Sequence, residues 1–119
     1  MHIAIAGCGQ LSRMMALAGI PLGIRFSFIA EPEEDVRCVV GLGEIVTWQA
    51  GQAAGQLYRL LGEPDALTVE KEQVDLALLR ALYEHCPLRP GFDAIRICQH
   101  RLLEKQLLDR LGIACSPYT

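Results

Sequence analysis

The chain has 119 residues, of which 51% are hydrophobic and 21% charged, and its net charge is −3 at neutral pH. That balance describes one folded domain with a modest core and excludes a disordered chain. The acidic chain carries no basic stripe with interleaved aromatics, which speaks against nucleic-acid binding, and no apolar run nears the roughly 20 residues that span a bilayer.

The predicted elements alternate between strand and helix. Ile3 to Ala6 is a short apolar strand that runs into Gly7-Cys8-Gly9-Gln10. From Gln10 to about Ala18 the apolar residues Leu11, Met14, Met15, Leu17 and Ala18 recur at helical spacing, and Gly19 with Pro21 marks the end. Phe26 to Ile29 is a second strand, closed by Glu31-Pro32, and a weak helical pattern covers Glu33 to Val40. Glu44 to Trp48 reads as a third strand. Ala53 to Leu61 reads as a helix with Ala54, Leu57, Leu60 and Leu61 on one face, stopped by Gly62. Ala66 to Val69 is a fourth strand. Val74 to His85 is helical, with Leu78, Leu79 and Leu82 on one side. Pro87 to Pro90 is a short extended piece. Asp93 to Leu111 forms one or two helices, ended by Gly112.

Short continuous apolar strands between helices predict a parallel sheet covered on both faces, here a doubly wound (Rossmann-like) α/β domain of four to five strands. Ligands of such sheets gather at the carboxyl ends of the strands. The residues to watch are therefore Gly7 to Gln10, Glu31, Trp48-Gln49 and Glu70 to Glu72.

The glycine turn leaves backbone amides at a positive helix N-terminus, where an anionic or polar ligand can sit. The competing reading is a turn that needs glycine for geometry alone. A dinucleotide site would use Glu31, after the second strand, to hold a ribose hydroxyl. Against it, the third glycine of that pattern is Ser12 and Gln10 is polar. A third possibility is an α/β interaction domain without chemistry. Cys8 within the turn is either a thiol activated by the helix terminus or a small space-filling side chain. The five cysteines are odd in number and contain no Cys-x-x-Cys pair, which suits reduced thiols in a cytoplasmic protein. No N-terminal charged region precedes a long apolar core, so no secretory signal is expected. His2, His85 and His100 form no metal-ligand spacing.

Two polar groups remain. Thr68-Val69-Glu70-Lys71-Glu72 sets two carboxylates on one side of an extended segment, either to recognise an amine or sugar hydroxyl or as a solvated first turn before the next helix. Gln99-His100-Arg101-Leu102-Leu103-Glu104-Lys105 is helical. Arg101 and Glu104 can pair, and an arginine fork suits a phosphate.

Taken in order, these motifs resemble one family. Gly7-Cys8-Gly9-Gln10-Leu11-Ser12-Arg13-Met14 followed by Pro21-Leu22-Gly23 resembles the start of the N5-carboxyaminoimidazole ribonucleotide synthases of purine biosynthesis. Thr68 to Glu72 resembles their Glu-x-Glu segment, and Gln99 to Lys105 their Gln-Asp-Arg-Leu-x-Glu-Lys helix. Leu111-Gly112-Ile113 with Pro117 resembles the Leu-Gly-Ile-Pro passage that follows. The sequence departs from the family at Ser12 (glycine), His100 (aspartate) and Lys71 (an apolar or aromatic residue).

The resemblance implies a pre-ATP-grasp domain over residues 1–112, with residues 113–119 beginning the connection to an ATP-grasp region. It implies that Gly9, Gln10, Leu11 and Glu70 face aminoimidazole ribonucleotide, and that Arg101 reaches toward ATP. The reaction it implies uses ATP and magnesium to activate bicarbonate and carboxylate the ribonucleotide's amine. The magnesium ligands would lie outside this chain, no cofactor would bind tightly here, and no catalytic residue is expected in it. The chain alone is expected to be inactive. A homodimer is expected from apolar surface around Ile113, Pro117 and Tyr118.

Overall fold

The run His2–Ala6 forms β1, a central strand buried on both faces, as the unbroken apolar character of Ile3 to Ala6 requires. The computed structural model describes residues 1–118; Thr119, the last residue of the expected connection, lies outside the described residues. β2 (Arg25–Ala30), β3 (Glu44–Thr47) and β4 (Ala66–Val69) complete a four-stranded sheet in the order β3-β2-β1-β4. All three pairings are parallel, with Ile3 opposite Phe26 on one side and Ala66 on the other. Leu88 adds a single parallel bridge beside Leu67 and no full fifth strand.

Side-chain alternation along the strands divides the core in two. Ala4, Ala6, Ile29 and Leu67 meet Leu57 and Leu61, from α2 (Ala54–Leu60) and its C-cap, and Leu78, Leu79 and Leu82 of α3 (Leu76–Tyr83). On the other face Ile5, Phe26, Phe28 and Ala30 meet Cys8, Val39 and Ala16 of α1 (Gln10–Gly19). α3 starts two residues later than its apolar pattern predicts. The Asp75 carboxylate caps it, accepting from the Ala77 and Leu78 amides at 2.8 and 3.2 Å.

The helix expected over Glu33 to Val40 is replaced by turns. Glu33 has φ 65°, and Asp35 turns back to bind the Arg37 amide and guanidinium. These local bonds compete with a helical ladder. They let Val39 drop into the core below α1, with Val36 and Cys38 packed around it. The segment from Asp93 to Leu111 resolves into α4 (Phe92–Cys98) and α5 (Arg101–Arg110), separated at an extended His100. α4 buries Ile95 in the core, whereas α5 buries no residue.

At the opposite end of β1, His2 is buried and its Nε2 lies 3.1 Å from the Ser27 hydroxyl. Its Nδ1 is buried without a hydrogen-bond partner among the described residues. Burial, and then the Arg25 guanidinium, holds this imidazole below its usual pKa. The folded state therefore keeps His2 neutral where the unfolded chain protonates it. The stabilising contribution is complete above about pH 6.5, the unfolded value, and is lost as pH falls through the folded value. Urea midpoints at pH 7.5 and 5.5 are expected to drop further for the wild type than for His2→Gln. Equal drops would show that this imidazole does not carry the effect.

Candidate functional site

Three strand ends converge at the carboxyl edge of the sheet. The ladder continues one residue past each strand: Gly7 donates to Ile29 O at 2.9 Å, Glu70 to Ala6 O at 3.0 Å, and Trp48 to Ala30 O at 2.8 Å. Glu70, directly after β4, is thereby fixed beside the turn that follows β1. Gly9 caps α1 and has no side chain to do so. The Glu70 carboxylate does it instead, its Oε2 accepting from the Gly9 amide at 2.7 Å. Glu34 takes the neighbouring amide, with Oε1 2.9 Å from Cys8 N, while its Oε2 accepts from Glu31 N at 2.9 Å.

The turn needs glycine because a carboxylate lies against it. A Cβ on Gly7 would fall 2.5 Å from Glu70 Oε2 and 2.8 Å from Glu70 Cβ, and a Cβ on Gly9 would overlap the carboxylate. Gly7 also sits at φ 120°, where only glycine is unstrained. Ser12 is fully buried; its hydroxyl donates to Gly7 O at 2.8 Å and also lies 3.1 Å from Glu70 Oε2. Glu70 Oε1 has no hydrogen-bond donor among the described residues, so one carboxylate oxygen is anchored and the other is open. Two amides of the turn, those of Cys8 and Gly9, are held by the protein's own acids and so do not face a dinucleotide pyrophosphate.

This setting decides between the two readings of Cys8. Burial, reinforced by Glu34 and Glu70, pushes its thiol up to about 12. It is a space-filling residue and not a nucleophile. With iodoacetamide at pH 8, Cys98 on the surface is expected to alkylate in the folded chain and Cys8 only after unfolding. Peptide mapping that finds Cys8 labelled as fast as Cys98 would reverse this assignment.

Glu70 also lines a cleft of about 670 Å³ between the loop after β4 and the corner of α4 and α5. Arg101, the first residue of α5, lies on the same cleft, with Glu72, Gln99 and Glu104. Its guanidinium is exposed and pairs with Glu104 at 3.2 Å. Glu70 and Arg101 thus share one rim. Gln10 and Leu11 open α1 next to Gly9 and are exposed, but neither lines this cleft. Glu72 does not extend the strand to stand beside Glu70; β4 ends at Val69 and the Glu72 side chain is solvated. Lys71 lines both this cleft and a narrow crevice with Gly7, Glu31 and Glu34.

Sequence reasoning missed Glu34 and the buried hydroxyl of Ser12. The contact of Glu34 with the glycine turn carries no local signal, since the Cys8 amide is 26 residues away. Ser12 is visible only as the departure from glycine. Among the described residues no group of three His, Cys, Asp or Glu side chains stands together to hold a metal ion.

A family model described as the ribonucleotide synthetase preATP-grasp domain matches residues 1–99. The N5-carboxyaminoimidazole ribonucleotide synthase of Pseudomonas aeruginosa is 38% identical over 113 residues, covering 95% of this chain and 31% of that protein. The crystal structure of the synthetase from Thermus thermophilus superposes with a TM-score of 0.83 at 36% identity, covering 97% of this chain and 31% of that one. The Staphylococcus aureus synthetase complexed with ADP gives 0.76 at 30% identity, covering 93% and 29%. The chain spans less than a third of the length of these relatives.

Proposed function

The chain belongs to the ribonucleotide synthetase preATP-grasp domain family, and on that premise we propose that it is the substrate-side domain of an ATP-dependent ligase that carboxylates aminoimidazole ribonucleotide with bicarbonate in purine synthesis. The observation that carries the reading is the Glu70 carboxylate, held through Oε2 on the Gly9 amide and open at Oε1 on the carboxyl edge of the sheet.

An open carboxylate oxygen accepts hydrogen bonds from an amine or a ribose hydroxyl and repels a phosphate. Glu70 therefore suits the amine or sugar end of the ribonucleotide, with Gly9 supplying its anchor and the exposed Gln10 and Leu11 extending the same surface. Arg101, across the cleft, donates a planar fork suited to ATP. In the reaction the γ-phosphoryl group of ATP passes to a bicarbonate oxygen, releasing ADP. The substrate amine then attacks the activated carbon and phosphate leaves. Magnesium would bind outside this chain, and the chain's contribution is orientation of the amine and charge near it.

A cytoplasmic homodimer belongs to the same reading. All five cysteines are unpaired, and Met14, Leu17, Leu22 and Ile113 expose apolar surface. No helix among the described residues is long and apolar enough to cross a membrane.

The test replaces the matching N-terminal segment of the Pseudomonas aeruginosa synthase with this chain. Release of ADP that requires aminoimidazole ribonucleotide is the expected result, while the 119-residue chain alone gives none. A folded chimera without ribonucleotide-dependent turnover, or tight binding of NAD to the chain by calorimetry, would refute the proposal.

A further inference from the structure

We infer that Gln99 is a positioning residue, a clasp that fixes the distance between the Glu70 and Arg101 walls of the cleft; the inference rests on the reading of that cleft as the ribonucleotide and ATP rim. The loop after β4 needs such a clasp. Its last ladder bond is Glu70 N to Ala6 O, and the next backbone bond within it is the local one from Val74 N to Glu72 O at 3.0 Å. Across the cleft, the Gln99 amide donates to Glu72 O at 2.6 Å and to Val74 O at 2.7 Å. Both acceptors are carbonyls, so both hydrogens of one nitrogen are used. Only the NH₂ end of the side chain can do this, which fixes its orientation by chemistry.

The clasp is anchored at its other end. Gln99 caps α4, its own N–H donating to Ile95 O at 3.0 Å, and Ile95 is buried in the core under the sheet. Arg101 follows two residues later, at the start of a helix that buries nothing. The corner at Gln99 and His100 is therefore the connection that aims α5. Through Gln99, the loop that carries Glu70 and the corner that carries Arg101 are held to one another. Glu72 takes part by its carbonyl and not by its carboxylate, which accounts for a polar residue whose side chain is solvated.

Three substitutions separate this role from general stability. Gln99→Leu keeps the bulk and removes both donors. Gln99→Glu turns the donor into an acceptor facing two carbonyls. Gln99→Lys restores donors, since an ammonium has three hydrogens. In the 119-residue chain, hydrogen exchange by NMR is expected to speed up about tenfold at Val74 in the Leu and Glu variants, as for loss of one or two neutral hydrogen bonds. The Leu61 and Leu79 amides in the core keep their wild-type rates, and Gln99→Lys restores slow exchange at Val74.

In the chimeric ligase the Leu and Glu variants are expected to raise KM for the ribonucleotide and for ATP together, with Lys returning both toward wild type. Unchanged exchange at Val74, or equal acceleration at Leu61 and Leu79, would overturn the clasp. So would a loosened loop with both KM values unaltered. A wild-type chimera with no ribonucleotide-dependent turnover removes the reading of the cleft itself, and the inference falls with it.

Discussion

Replacing Gly7 with alanine is expected to destabilise the domain by about 2–6 kcal/mol, from the backbone cost of a positive φ together with overpacking. A domain of this size holds roughly 5–15 kcal/mol in total, so much of the chain would be unfolded at the upper end of that range. The new methyl would sit 2.5 Å from Glu70 Oε2 and 2.8 Å from Glu70 Cβ, at φ 120°. Urea denaturation measures the loss, and Glu70→Ala tests its cause. Alanine at position 70 still has a Cβ, so it should not rescue Gly7→Ala. It should rescue Gly9→Ala, where the methyl meets only the carboxylate group and the backbone φ is −86°. A Gly7→Ala protein as stable as wild type would mean that Glu70 does not lie on the turn. Failure of Glu70→Ala to relieve Gly9→Ala would mean the same.

The four strands are legible in the sequence because each is a short apolar run bounded by glycine, proline or charge. α1, α2 and α3 are legible because their leucines, methionines and alanines recur at helical spacing. The segment from Glu33 to Val40 misleads for the same reason. Val36, Val39 and Val40 have helical spacing, but Asp35 and Glu34 commit their carboxylates to turns and to the Cys8 amide. Periodicity registers which residues are buried and not which backbone carries them. Glu70 is legible as a carboxyl-edge residue from its place after β4. Its contact with Gly9 depends on β4 lying beside β1, a pairing of segments some sixty residues apart that no local pattern encodes. Gln99 is harder still. It belongs to a recognisable motif, yet its partners are two main-chain carbonyls, and a carbonyl leaves no trace in a sequence.

Glu70→Gln in the chimeric ligase is expected to raise KM for aminoimidazole ribonucleotide by about 10- to 150-fold, the equivalent of losing 1.5–3 kcal/mol in a charge-assisted hydrogen bond. The fold should tolerate it. The amide oxygen can still accept from Gly9 N at the position of Oε2, so α1 keeps its cap. What changes is the open position, where an NH₂ donor replaces an acceptor and confronts the substrate's own donors. KM for ATP should stay nearly constant. Arg101→Ala should do the reverse. Its guanidinium is exposed and its pair with Glu104 is a surface ion pair, so its removal costs the fold little and any effect is felt at the cleft. The two variants together ask whether one rim serves two ligands. If each perturbs a different substrate, the open carboxylate and the arginine divide the rim between amine and phosphate. If both perturb the two substrates alike, or neither perturbs either, Glu70 is no more than the cap of α1 and Arg101 a solvated charge.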